Sequence, residues 1–244
     1  MQATKESQES ALKAETFPCS ADRVMITYYT DPLCCWSWAL EPHWQRLKSE
    51  YSGRIDWRYV MGGMIQDWET YNDPMNAITR PLQFGPIWMH ASQVSGVSMD
   101  WSIWHKDPPA SSFPACIAVK CATLQSLAAG ETLLYSLREA VMSEGLNVSR
   151  ETVIMSIAKA LANDGDKILD YDRFVRAWAD GSGVSAFRND LQQTRFLKIG
   201  RYPTLTFTGE ASKGIIITGY RPFDVLKEAL DHMFEQTRKK QNPS

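Results

Sequence analysis

A chain of 244 residues with 44% hydrophobic and 22% charged content exceeds the size at which one core can be buried, and fits a single large domain or a domain carrying an insertion. A formal net charge of -2 and a pI near 6.1 supply no basic field for nucleic acid, and no stretch approaches the roughly 18 to 20 apolar residues of a membrane helix. Neither partner class is expected. The five cysteines, Cys19, Cys34, Cys35, Cys116 and Cys121, follow no disulfide-framework or zinc spacing, so reduced thiols are expected and no metal site.

Residues 1 to about 20 are rich in Gln, Glu, Ser, Lys and Ala, a composition that reads as a tail or frayed helix. They hold no apolar core of a secretory signal, which points to a cytoplasmic protein. Val24 to Tyr29 reads as a strand, and a helical pattern runs from Ala39 to about Tyr51 with Leu40, Trp44 and Leu47 on one face. Pro42 should kink that helix. Ile55 to Met61 alternates as a half-buried strand, so strand, helix and strand form a βαβ unit whose strands should run parallel.

From Gly62 to about Ser112 the pattern breaks into Gly, Pro, Asn and Asp punctuation, interleaved with Trp68, Trp88, Trp101 and Trp104. Those tryptophans either line a substrate groove or, as aromatics more often do, pack the segment onto the domain. Helices are expected over Pro114–Ala129, Glu131–Glu144, Ser149–Asn163, Tyr171–Trp178 and Val184–Leu197, with Gly130 and Gly145 as stops and Ser149 as a cap. Cys116 and Cys121 lie about 140° apart around their helix, too divergent to pair. Arg201 to Phe207 places Pro203 ahead of a β-rich run, where proline is tolerated. Gly214 to Thr218 follows as an antiparallel strand, and Pro222 to about Thr237 as a closing helix.

The chemistry concentrates in Thr30-Asp31-Pro32-Leu33-Cys34-Cys35-Trp36-Ser37-Trp38. Cys34 falls between a strand end and a helix start, where free N–H groups and the helix dipole favour an anion. A thiolate there can have its pKa lowered to roughly 3.5 to 7.5. Cys34 is thus the candidate nucleophile, against the alternative of a buried cysteine packing as a small hydrophobe. Asp31, three residues earlier, would oppose the dipole and raise that pKa. His43 and Glu41 on the following helix read either as exposed residues or as groups facing the thiol.

The stretch Asp31-Pro32-Leu33-Cys34-x-Trp36-x-Trp38 resembles the active-site segment of DsbA-family proteins of the thioredoxin fold, whose motif is Cys-x-x-Cys. The second cysteine of that motif falls on Ser37, and an extra cysteine stands at Cys35. Gly62-Gly63, the Ser111-to-Val119 segment and Tyr202-Pro203 extend the resemblance to both ends of the chain. It implies an α/β thioredoxin fold with a central mixed sheet of about four strands and an inserted all-helical domain. The expected division is a tail over 1–20, a thioredoxin-like part over 21–62 and 198–240, and an inserted loop and helical domain over 63–197.

The resemblance further implies a cis Tyr202–Pro203 bond opposite Cys34, with Pro203 presenting an extended edge to a substrate peptide. It places Cys34, Ser37 and Cys35 as catalytic residues and Trp36, Tyr202 and Pro203 against substrate. The function expected is thiol-disulfide exchange through one thiol, released by an external thiol or by Cys35, with a protein or small thiol/disulfide as substrate. No tightly bound cofactor is expected; glutathione is the candidate co-substrate. The other readings are a kappa-type glutathione transferase or isomerase, and a non-catalytic protein-binding adaptor on the same scaffold.

Overall fold

A computed structural model of the chain describes residues 23–73, 76–165, 167–209 and 214–241. The expected tail over residues 1–20, with Cys19, lies outside them. Among the described residues four strands form one mixed sheet in the order β2-β1-β3-β4. They are β1 (Val24–Thr30), β2 (Ile55–Met61), β3 (Thr204–Thr208) and β4 (Ile215–Thr218). β1 pairs parallel with β2, Val24 opposite Ile55, and antiparallel with β3, while β3 and β4 pair antiparallel. The parallel pair is linked by α1 (Cys35–Glu50), as a βαβ unit requires.

β1 is buried along nearly its whole length, because its side chains meet helices on both faces. α1 buries Trp38, Leu40, Trp44 and Leu47, and continues through Pro42 to Glu50. α9 (Phe223–Gln241) closes the chain and packs against α1, β1, β3 and β4.

Between β2 and β3 lies the helical insertion. α2 (Phe84–Ser95) and the short α3 (Ile103–Lys106) occupy the Trp-rich stretch. Trp88 and Trp104 are buried and pack edge to face, with Phe84 and Trp68 against Trp104. These tryptophans therefore build core; Trp101 alone of the four is exposed. The bundle follows as α4 (Phe113–Thr123), α5 (Leu127–Met142), α6 (Glu151–Asn163), α7 (Tyr171–Ala179) and α8 (Ser182–Phe196).

Two expected boundaries move. Gly130 lies inside α5, whose N-cap is Ser126, with Oγ accepting from Ala129 N–H at 3.0 Å. A Cβ on Gly130 would stand 2.2 Å from Thr123 Oγ1, so glycine is there for close approach to the end of α4 and does not stop a helix. Ser149 does not cap α6 either: its N–H and hydroxyl both donate to Asn147 Oδ1, and the helix begins two residues later.

A buried ion pair ties the insertion to the sheet. Arg138 of α5 donates to Glu41 of α1 at 2.9 Å and to the hydroxyl of Thr30, at the end of β1. Both charged side chains are almost fully buried. Removing one partner of such a pair leaves an uncompensated charge in the core, costing about 3–5 kcal/mol. Arg138→Met should lower the unfolding free energy by that amount in urea titration, and Glu41→Leu combined with Arg138→Met should recover most of the loss. A double variant as unstable as the single one would show that the charge balance is not what Arg138 supplies.

Candidate active site

The candidate site forms where β1 ends, α1 begins and the chain enters β3. Asp31-Pro32-Leu33 makes the turn, with Cys34 N–H donating to Asp31 O at 3.1 Å. Cys34 is the N-cap of α1: its backbone is extended (φ -81°, ψ 104°), and its carbonyl accepts from the N–H groups of Ser37 and Trp38. The Cys34 thiol donates to the carbonyl of Tyr202 at 3.3 Å. The Tyr202–Pro203 peptide is cis. Residues 168 positions apart in the chain thus meet at one sulfur.

Cys34 is only 4% exposed, and this corrects the expectation of a lowered pKa. Burial pushes the Cys34 thiol up and outweighs the rest; the Ser37 hydroxyl and backbone N–H work against the rise, Asp31 adds to it, and Arg138 opposes it. Ser37 Oγ is buried and close enough to favour a Cys34 thiolate, yet among the described residues it has no partner at hydrogen-bond geometry. It is therefore a spare donor beside the sulfur, of use to a thiolate and idle beside a thiol.

Cys35, expected as a possible releasing thiol, lies in the hydrophobic core. Burial, and then the neighbouring Cys34, push its thiol well above the usual range. A sulfur so placed would have to leave the core before attacking anything. Pro203 is buried at the head of β3, and its carbonyl accepts from Gly219 N–H at 2.7 Å. Trp36 is half-buried beside the thiol, its ring 5.6 Å from that of His90 and 6.0 Å from that of Tyr220. His43 reaches the same patch through a 3.1 Å hydrogen bond to Tyr220 Oη.

Two side chains, Asp31 and Tyr202, hold this arrangement. Asp31 is fully buried, and its carboxylate accepts from Leu33 N–H, Met64 N–H, Ser112 Oγ and, at 3.4 Å, Cys116 Sγ. Tyr202 lays its ring on Gly62 and donates to the Gly62 carbonyl at 3.1 Å. A Cβ at Gly62 would lie 2.1 Å from that ring, which explains the first glycine of the pair; the second, Gly63, has φ +61°. Glu41 is the buried partner of Arg138 rather than a solvated helix residue. Cys116 and Cys121 are buried free thiols.

A thioredoxin family, described as Thioredoxin, matches residues 28–228 by its sequence profile. The chain belongs to that family. Among curated proteins, the ClpXP adapter protein SpxH of Halalkalibacterium halodurans is 27% identical over 220 residues, covering 89% of this chain and 70% of that protein. Among solved structures, a putative protein disulfide isomerase from Nitrosomonas europaea superposes with a TM-score of 0.71 at 19% identity, over 88% of this chain and 98% of that one. The cytosolic disulfide reductase DsbM from Pseudomonas aeruginosa, also solved with GSH, gives 0.63 at 18% identity, over 89% and 100%. At these identities the solved structures establish the thioredoxin-like fold with its helical insertion. No helix among the described residues is long and apolar enough to cross a membrane.

Sequence reasoning passed over Arg138, although a signal was present. It stands among Leu134, Leu137 and Val141 on the buried stripe of α5, and an arginine in such a stripe needs a buried acceptor. His90 and Tyr220 carried no comparable signal, since their place beside Trp36 depends on how α2 and the end of β4 pack.

The raised Cys34 pKa has a direct consequence. Iodoacetamide should modify Cys34 in the folded protein more slowly at pH 7 than it modifies free cysteine, and the rate should climb with pH beyond the usual thiol range before levelling. A plateau already reached near pH 7 would mean that the helix terminus prevails over burial.

Proposed function

We propose that the protein performs thiol-disulfide exchange through a single thiol, Cys34, with a polypeptide as its partner. The observation that carries this reading is the thiol of Cys34 at the head of α1, hydrogen-bonded to the Tyr202 carbonyl, with Ser37 one turn along where a ring-closing sulfur would have to be. After loss of its proton, Cys34 Sγ attacks one sulfur of a partner disulfide, forming a Cys34–partner disulfide and releasing the other sulfur as thiolate. An external thiolate then attacks the mixed disulfide, leaves with the partner sulfur as a new disulfide, and returns Cys34 as thiolate. Ser37 Oγ supplies a hydrogen bond to the Cys34 thiolate before the attack and again on its release. The solved complex of DsbM with GSH supports glutathione as the external thiol. The cytoplasm, where free thiols persist, suits this chemistry.

On this reading residues 21–62 and 198–240 carry the exchange chemistry and 63–197 shape access to it, with Trp36 and Tyr202 meeting the partner. A second reading has specific support: relatives that align with most of this chain are ClpXP adapters, and a buried, protonated Cys34 is a slow nucleophile. In that case the scaffold binds a partner without turning it over.

The readings separate on Cys34 and Ser37. Residues three apart on the first helical turn lie about 5 to 6 Å apart at Cβ, within reach of disulfide closure after a small shift. Ser37→Cys should raise disulfide-reductase activity by at least roughly tenfold, or about 1.4 kcal/mol in the barrier. Wild type treated with oxidised glutathione should accumulate a Cys34 mixed disulfide by mass spectrometry, and Cys34→Ser should accumulate none. Partner capture that Cys34→Ser leaves intact, with no gain in Ser37→Cys, would select the adaptor.

A further inference from the structure

Tyr202 also lines a cleft of 520 Å³ among the described residues, of which Cys34 is not a lining residue. Its walls are the segment after β2, from Gly62 to Asn72, and the end of α8 with the link into β3, from Leu191 to Tyr202. Volumes of this order hold a few side chains of a bound peptide or a small molecule. Two cations line it, Arg195 and Lys198, and neither forms an ion pair among the described residues. The left-handed backbone of Lys198, φ 55°, belongs to the end of α8, where Ile199 N–H donates to Thr194 O at 2.8 Å and Lys198 N–H to Arg195 O at 3.1 Å. Between the two cations in sequence stand Phe196, 73% exposed, and Leu197, 45% exposed. Phe196 and Leu197 do not line the cleft but stand exposed at the end of α8 beside it, so a ligand whose carboxylates enter between the two unpaired cations would meet apolar surface outside.

We propose that this cleft docks a short extended segment of a partner polypeptide rich in acidic and apolar side chains. Its carboxylates meet Arg195 and Lys198, and an apolar side chain covers Phe196. The one opposing charge in the walls is Asp67, whose Oδ1 accepts from the N–H and hydroxyl of Thr70; these bonds lower its pKa and keep it ionised. Docking here would bring the partner alongside Tyr202, whose carbonyl holds the Cys34 proton. The proposal rests on the reading that the partner is a polypeptide, and it needs no covalent step.

Fluorescence anisotropy with a labelled peptide of Asp, Glu, Leu and Phe tests it in the Cys34→Ser background, where exchange is absent. Binding should weaken as salt rises. Arg195→Glu with Lys198→Glu should lower affinity by about tenfold or more, and Phe196→Ser should lower it by about threefold. Lys159→Glu with Arg176→Glu makes the same change in net charge on α6 and α7, and should leave binding within about twofold. Asp67→Asn should tighten binding, because it removes the charge that repels the ligand.

Equal binding of a matched lysine peptide, or no response to Arg195→Glu with Lys198→Glu, overturns the proposal. So does weaker binding in Asp67→Asn, or displacement of the peptide by glutathione, either of which assigns the cleft to a small zwitterion. Mixed-disulfide formation at Cys34 in the wild type reports separately on the exchange reading, so the two can fail independently.

Discussion

The turn that presents Cys34 is held by one buried carboxylate. Asp31 receives donors from its own turn, from the segment after β2 and from the start of α4, three stretches that nothing in the covalent chain keeps together. Burial alone would favour the protonated acid, and it does raise the Asp31 pKa, while each donor pulls in the opposite direction. A carboxyl in this setting does not turn aside for another role without stranding several partners. The loss of any one donor costs the fold more than the bond itself is worth, because the remaining group is then buried and unsatisfied. The geometry at the thiol therefore inherits its rigidity from a residue three positions upstream.

A second charge balance lies on the other side of the thiol. Glu41 and Arg138 neutralise each other between α1 and α5, and Arg138 also reaches Thr30 at the end of β1. Cys34 thus sits between a buried carboxyl and a buried guanidinium whose influences on it are opposite in sign. With these two opposed, solvent access becomes the deciding variable. Each pKa unit corresponds to about 1.36 kcal/mol of preference between the protonation states, so a partner that opened a path of water to Cys34, or replaced that water with hydrogen-bond donors, would change its reactivity without touching either charge.

The architecture was legible because it rests on periodicity. β2 occupies the predicted residues, and the parallel βαβ pair followed from a strand, a helix and a strand with short links. The Cys34 motif and Tyr202-Pro203 could be placed opposite each other by resemblance because both belong to the sheet end. What could not be read was the state of the thiol. A helix terminus is a local property and visible in sequence, whereas desolvation depends on packing by groups such as Tyr202, which arrives from a remote part of the chain. Gly130 failed as a helix stop for the same reason: its glycine answers to Thr123 across an interhelix contact, not to its own backbone.

Ser37 is where chemistry and packing meet. A second cysteine at this position would give the buried sulfur of Cys34 a partner that arrives with the fold, so exchange could finish inside the protein. Serine keeps the hydrogen-bond donor and removes the sulfur, which leaves any mixed disulfide waiting for a thiol from outside. With Cys34 shielded and Cys35 in the core, that thiol must either enter past Tyr202 or wait for the site to open. A long-lived covalent complex and a stable non-covalent one then place the same demand on the surface around the thiol: the partner must be held by contacts other than the sulfur. This is why the surfaces around the site, the Trp36 patch and the cleft that Tyr202 lines, bear on function as directly as the thiol does.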